Sequence, residues 1–178
     1  LIDCTRRKKV TISGVLSASL QYAIKKVGKV DGQGDTLSIK YAVDLRERFA
    51  SDQSLDQLNC YVIAFNDFQS MDVGSDTHNF WQLAENVSQS LKRYAGSHSA
   101  FVNIKALGVE EKPANAHVAS MLSNIGRVDF ENISGDLVPE SFCIQGVVMA
   151  PCIIATAMHC FGSLQVDFLY TTPWVAEQ

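Results

Sequence analysis

The chain has 178 residues, of which 47% are hydrophobic and 19% charged, as in a globular protein long enough for one domain with a buried core. Its net charge of −4 argues against a general nucleic-acid-binding surface, because contacts to phosphate backbones need clustered Lys and Arg. The one basic run, Arg6–Lys9, is typical of a solvated helix face or turn.

The first predicted element is a helix over Ser13–Val27. Its apolar residues recur at spacings of four, three and four and so share one face: Leu16, Leu20, Ala23 and Val27. Ser13 is a plausible N-cap, and Gly28 stands where helices commonly end.

Two strands are predicted next. Leu37–Leu45 alternates apolar with polar or small residues, which indicates a half-buried strand. At its end Asp44 and Arg46 point to the same face, which favours a local surface ion pair. The second strand, Cys60–Phe65, is continuously apolar and is expected to be buried on both faces.

A second helix is predicted from the Ser-Asp-Thr run at 75–77 to Gly96. Its apolar stripe consists of Phe80, Leu83, Ala84, Val87, Leu91 and Tyr94. Residues 101–118, which Pro113 splits, fit no element clearly.

The last third is predicted to be rich in strands, with a turn at Gly162-Ser163 between the final two. The predicted strands are 121–130, 141–149, 153–160 and 164–170. Helix, strand, strand, helix and then a run of strands predicts an α+β fold, a mixed sheet with helices packed on it. We expect residues 1–178 to form a single domain.

The most apolar stretch, 146–162, is short for a membrane span and is interrupted by Pro151 and His159, so it predicts buried strands and no membrane span. The chain begins at Leu1, without a methionine, and enters a helical pattern at once. From this start we expect a fragment or a processed piece of a longer protein.

Five cysteines are widely spaced, without a Cys-x-x-Cys pair: Cys4, Cys60, Cys143, Cys152 and Cys160. They predict reduced, buried thiols in a cytoplasmic protein, and they lack the ligand spacing of a zinc site. We therefore expect no metal.

Four histidines stand apart from any recognisable catalytic spacing: His78, His98, His117 and His159. Structural or solvated roles are expected for each, because lone histidines usually have such roles. Catalysis by Ser, His and Asp stays open, although no Gly-x-Ser-x-Gly elbow and no Gly-rich phosphate loop is present. A small hydrolase or thioester-binding enzyme that uses His117 or His159 is one alternative.

The segment Ser123–Arg127, read as SNIGR, places hydrogen-bonding side chains and a glycine inside a predicted strand. Glycine in a strand marks a β-bulge or a close approach to the backbone. Ser123 and Asn124 could point donors into a cleft. The segment is thus either a plain bulge or the wall of an active site.

Six segments in this order resemble the C-terminal half of the chloramphenicol-acetyltransferase-like acyltransferase and condensation superfamily. That superfamily includes alcohol O-acetyltransferases, polyketide-associated acyltransferases and condensation domains of peptide synthetases. The segments cover nearly the whole chain: LIDCTRRKKVTISGVLSASLQYAI, YAVDLRERF, LNCYVIAF, NFWQLAENVSQSL, LSNIGRVDF and GSLQVDFLYT.

The resemblance implies one half of a two-subdomain fold, with acyl donor and acceptor meeting in a tunnel between the halves. The general base of this family, a histidine in a His-His-x-x-x-Asp-Gly motif, belongs to the N-terminal half. This chain has no such motif and reads TTPW at 171–174 in the pseudo-equivalent place. The chain alone is therefore expected to be inactive and to need the N-terminal half, in the same or a separate polypeptide.

The resemblance also implies roles for the SNIGR segment. Asn124 is the first choice, and Ser123 the second, for a donor to the developing oxyanion. Gly126 would let substrate approach the backbone. Arg127 would meet phosphates of the donor, or alternatively form a structural salt bridge.

No cofactor is expected to be bound. The implied donor substrate is acyl-CoA or an acyl-carrier phosphopantetheine, and the implied acceptor is an alcohol or amine. An exposed apolar face is expected and would allow homo-oligomers. The alternative to an acyltransferase half is a non-catalytic interaction module that retains the fold.

Overall fold

The computed structural model describes residues 1–27, 36–44, 62–70, 77–96, 116–128 and 153–170. Predictions for Gly28, Leu45, Arg46, His98 and residues 141–149 lie outside these ranges, as does the start of the second predicted strand. The described elements are α1 (Ile2–Lys8), α2 (Ile12–Val27), β1 (Thr36–Asp44), β2 (Val62–Ser70), α3 (Thr77–Gly96), β3 (Ala116–Arg127), β4 (Ile153–Cys160) and β5 (Ser163–Tyr170).

The five described strands form one mixed sheet in the order β2-β1-β3-β4-β5. The two outer pairs, β1–β2 and β4–β5, are antiparallel, whereas β1–β3 and β3–β4 are parallel. Helices α2 and α3 pack against each other and contact the sheet. The predicted α+β architecture, a mixed sheet with helices packed on it, is confirmed.

The core lies between this helix pair and one face of the sheet. Tyr41, Leu122 and Ala155 occupy one cross-strand row of β1, β3 and β4, and all three are buried. The predicted stripe of α3 faces the same core. Four of its members are buried and two are partly buried: Leu83, Ala84, Val87 and Tyr94, then Phe80 and Leu91.

Helix α2 begins one residue before its predicted start, and Ser13 is not its N-cap. Thr11 holds that position, because its Oγ1 accepts the N–H of Gly14 at 3.0 Å and its carbonyl accepts the N–H of Val15. Ser13 lies inside the first turn. Its hydroxyl is therefore available to another element.

The two helices cross closely at Gly14 of α2. A Cβ on Gly14 would overlap Ser88 Oγ and the carbonyl oxygen of Ala84. Ser88 Oγ also accepts the N–H of Thr11 at 3.0 Å and donates to the Ala84 carbonyl at 2.6 Å. The start of α2 is thereby attached to the middle of α3.

Strand β2 runs on to Ser70, so the predicted end at Phe65 is wrong. The apolar run stops there, but backbone pairing with β1 continues from Val62 opposite Asp44 to Ser70 opposite Thr36. Among the described strands β2 is an edge, and an edge strand needs no continuous apolar run. Pairing, rather than hydrophobicity, decides where this strand ends.

The turn between β4 and β5 consists of Phe161 and Gly162, one residue earlier than predicted. Both have positive φ, 48° and 75°, which is the requirement of a type I′ hairpin turn. Ser163 already pairs with Cys160 as the first residue of β5.

The basic run at the end of α1 is exposed throughout, which confirms the predicted solvated face. Cys160 is buried and free, as predicted, whereas Cys4 is free but half-buried. No helix in the described ranges combines the length and the hydrophobicity needed to cross a membrane.

Candidate functional site

A cavity of about 180 Å³ opens at the carboxyl ends of the parallel strands β1 and β3. The carboxyl edge of parallel strands is the usual place for a ligand in an open α/β sheet. The lining residues come from β1, β3 and the facing turns of α2 and α3: Ser13, Tyr41, Ala42, Val43, Asp44, Leu91, Ala95, Leu122 and Asn124.

The lining is apolar inside and polar outside. Leu122 is buried, and Leu91 and Ala95 of α3 are half-buried, so these side chains form the interior. Asp44 and Asn124 are exposed and stand at the mouth. A ligand with an apolar group and a hydrogen-bonding end would fit this division.

The SNIGR segment contains a β-bulge beside this cavity. Asn124 pairs with Ala157 and Gly126 with Met158, so Ile125 is the extra residue in β3. Gly126 has a φ of 83°, a conformation that residues with a Cβ rarely adopt. The bulge interpretation is confirmed, and the residue just before the bulge lines the cavity.

The amide of Asn124 is held at both ends. Its Oδ1 accepts the N–H of Gly126 at 3.0 Å, and its Nδ2 donates to Ser13 Oγ at 2.9 Å. A backbone N–H can only donate, so this contact assigns the amide oxygen and leaves the NH₂ group towards Ser13. One of the two N–H groups binds Ser13, and no acceptor among the described residues takes the other.

Ser123, the second predicted donor, lies on the opposite face of β3, because successive residues of a strand alternate between faces. It is half-buried and is not part of the lining of the cavity. The structure therefore separates Ser123 from Asn124, and the two side chains cannot share one ligand on this face.

Gly126 and Arg127 lie just beyond the bulge. No atom of the described residues comes within 4 Å of the position that a Cβ of Gly126 would take. Among the described residues, backbone torsion rather than crowding therefore requires glycine here, and none of them fills the space beside it. Arg127 is exposed at the end of β3, opposite His159 of β4.

The described structure gives the histidine alternative no geometric support. His159 is half-buried, and in the described ranges no hydrogen bond or ion pair joins its side chain to a carboxylate. The backbone of His117 is in β3, but its side chain lies outside the description. Within the same ranges, no cluster of three or more His, Cys, Asp or Glu could hold a metal ion.

No pattern noted in the sequence predicted the contribution of Ser13 to this site. The two bonded residues, Ser13 and Asn124, are 111 positions apart, so no local spacing relates them. The usable signal was a second hydroxyl residue, Thr11, two positions earlier. A helix needs one N-cap, so two candidates leave one hydroxyl free for another contact.

No protein-family model and no curated protein matches this sequence. Solved structures do match it in fold, among them the following two. Polyketide synthase associated protein 5 from Mycobacterium tuberculosis has a TM-score of 0.58 and 14% identity over 92% of this chain. The epimerization domain from the third module of tyrocidine synthetase B has a TM-score of 0.61 and 13% identity over 97% of this chain.

The chain spans 41% of the first structure and 40% of the second, about two-fifths of each. At such identities the likeness concerns the fold alone. Both structures share the fold of this chain over more than nine-tenths of its length. The chain therefore has the chloramphenicol-acetyltransferase-like fold that the resemblance implied.

Proposed function

We propose that this chain is the C-terminal subdomain of an acyl-thioester-dependent acyltransferase, most simply an O-acyltransferase, and that it lines the substrate tunnel. The shared fold and the two-fifths coverage support a half that works with an N-terminal partner half. The observation that carries the proposal is the Asn124 amide, fixed at both ends at the mouth of the cavity with one N–H left to donate.

Acyl transfer from a thioester places negative charge on one oxygen. The acceptor hydroxyl attacks the carbonyl carbon, the carbonyl oxygen becomes an oxyanion, and the thiolate leaves when the tetrahedral intermediate collapses. A donor already oriented towards that oxygen lowers the barrier without reorganising during the reaction. In this proposal the second N–H of Asn124 is that donor.

The proton of the acceptor hydroxyl must also be removed, and this step belongs to the other half. A histidine in a His-x-x-x-Asp segment there acts as general base. This chain contributes the oxyanion donor without the base, so alone it is expected to bind substrate weakly and turn over none.

Gly126 and Arg127 complete the proposed site. The open space beside Gly126 admits an acyl-thioester arm close to the backbone, where a side chain would stand in the way. Arg127 is an exposed cation one residue further along and suits the phosphates of coenzyme A or of a carrier arm.

The test is Asn124→Ala in the complete protein, assayed for transfer from acetyl-CoA to alcohols. We expect kcat to fall by about 10²- to 10³-fold with little change in KM, the usual effect of losing one oxyanion donor. Asn86→Ala is the matched control, because Asn86 is an exposed asparagine on α3 that accepts a hydrogen bond from Gln82 of the same helix. An unchanged kcat in Asn124→Ala would remove the oxyanion assignment.

A second candidate, a non-catalytic interaction module, is favoured by the exposed aromatic side chains of β5. Phe168 and Tyr170 are 57% and 51% exposed and, two residues apart, share one face of the strand. This face suits the partner half or a second copy of the chain. Absence of transfer in the complete protein, together with a loss of association in Phe168→Ser measured by light scattering, would favour this candidate.

A further inference from the structure

We propose that Ser13, in the first turn of α2, is the positioning residue for Asn124. This inference rests on the proposed acyltransferase function, because it assigns Ser13 an effect on turnover that acts through Asn124. Its basis is the 2.9 Å bond from Asn124 Nδ2 to Ser13 Oγ, which joins the mouth of the cavity to a helix.

The first turn of α2 presents Ser13 on a fixed support. Thr11 caps the turn by accepting the N–H of Gly14 at 3.0 Å. Thr11 Oγ1 is also 3.0 Å from Ser88 Oγ of α3. The turn that carries Ser13 is therefore attached at its start and cannot easily shift relative to α3.

A second bond one helical turn further along fixes α2 against the sheet. Ser17 Oγ lies 2.5 Å from the hydroxyl of Tyr41 in β1, and both residues are buried. Tyr41 is in register with Leu122, so Tyr41 and Asn124 are two strand positions apart. One helical turn, about 5.4 Å, nearly matches two strand residues, about 6.6 Å, so both bonds form together.

The two contacts of the Asn124 amide hold different atoms of the group. The Gly126 N–H holds Oδ1, and Ser13 Oγ takes one of the two N–H groups. With both contacts the amide plane is set, and the remaining N–H has one direction. Without Ser13 the Asn124 amide keeps only its contact to the Gly126 N–H and can rotate. The remaining N–H is then no longer held in the direction of the oxyanion.

The test compares Ser13→Ala, Asn124→Ala and the double variant in acyl transfer by the complete protein. We expect Ser13→Ala to lower kcat by about 5- to 10-fold, the worth of one hydrogen bond, with KM nearly unchanged. Ser13→Thr, which keeps the hydroxyl, should restore most of the activity. The double variant should be no slower than Asn124→Ala, because Ser13 acts through Asn124.

Ser19→Ala is the matched control, since Ser19 is an exposed serine of the same helix. Far-UV circular dichroism checks that each variant folds. Selective ¹⁵N-asparagine labelling gives a readout without turnover, with the Asn124 side-chain signal identified by its loss in Asn124→Ala. We expect that signal to move in Ser13→Ala towards the position of a solvated amide and to stay in place in Ser19→Ala.

The outcomes separate this inference from the proposed function. If Asn124→Ala lowers kcat and Ser13→Ala does not, the positioning role is wrong and the proposed function stands. If the two losses multiply in the double variant, Ser13 acts independently of Asn124, which also overturns the inference. If neither variant changes kcat, the oxyanion assignment fails, and the catalytic positioning fails with it. An unmoved Asn124 signal in Ser13→Ala contradicts the contact itself.

Discussion

Two glycines mark two contrasting regions of the molecule, and each is required for a reason that the other lacks. Gly14 stands at the crossing of α2 and α3, where a methyl group would overlap Ser88 and a backbone oxygen. Gly126 stands at the bulge of β3, where no atom of the described residues is near but φ is 83°. Packing fills the region around Gly14, which we call the closed region. In the region around Gly126, the open region, no described residue is near and the backbone adopts a positive φ.

The difference separates residues that hold the fold from residues that face a ligand. In the closed region every change should appear in the free energy of unfolding. In the open region changes should alter turnover more than stability. Helix α2 joins the two regions, because adjacent residues of its first turn, Gly14 and Ser13, contact α3 and β3 respectively.

The sharpest test of the closed region is Gly14→Ala. We expect the free energy of unfolding to fall by about 3 kcal/mol, because the added methyl group meets a backbone carbonyl that no rotamer change can move. The higher helix propensity of alanine offsets about 1 kcal/mol of a larger penalty. Urea denaturation measures the change, and equal or higher stability would show that the crossing has room.

The polar contact next to that crossing should matter less. Ser17→Ala leaves the buried hydroxyl of Tyr41 without this partner, and we expect a loss of about 1.5 kcal/mol. The matched control is Ser19→Ala, an exposed serine on the same helix, which should change stability by less than about 0.5 kcal/mol. Similar losses in the two variants would contradict a specific role for the buried bond.

In the open region the backbone conformation of Gly126, rather than packing, should determine the effect of a substitution. Gly126→Ala should lower the free energy of unfolding by about 1 kcal/mol. Positive φ is unfavourable for alanine even where its methyl group has space. Gly126→Asn should cost less, since asparagine tolerates this conformation better. At Gly14 we expect the opposite order, with Gly14→Asn less stable than Gly14→Ala, because the larger side chain overlaps more with Ser88 and the Ala84 carbonyl. Denaturation of the four variants tests the reversal, and the same order at both sites would refute the comparison.

The smallest effect is expected at the outer surface of the helices. Lys8 Nζ lies 5.6 Å from the ring centroid of Trp81, which links α1 to α3. Exposed contacts between a cation and an aromatic ring contribute about 0.5 kcal/mol. Lys8→Met should therefore lower the free energy of unfolding by no more than this amount, and a loss above 1 kcal/mol would show that α1 contributes more than we assign.

Helices α2 and α3 and most strands could be predicted because their signals are local. The stripe from Phe80 to Tyr94 fixed the face of α3, and the apolar run Ile153–Cys160 matched β4 residue for residue. Beginnings and ends were less accurate where another element decides them. Strand β2 extends beyond its apolar run because it pairs with β1. The turn between β4 and β5 lies one residue earlier than predicted because Phe161 adopts a positive φ.

The candidate site was predictable only in part. The glycine in SNIGR predicted the bulge, because a strand rarely contains glycine without a conformational reason. If the segment is a strand, Ser123 and Asn124 must lie on opposite faces, because successive residues of a strand alternate. The Ser13 contact could not be predicted, because it depends on how a helix lies across the sheet.

The strand order has a consequence for how the protein folds. β4 and β5 form a hairpin with a two-residue turn, which needs only local contacts and can form in about 1–10 μs. β1 and β3 pair in parallel although Thr36 and Ala116 are roughly 80 residues apart, so a long loop must close first. The centre of the described sheet, which carries Asn124, is therefore expected to assemble late, after the β4–β5 hairpin has formed.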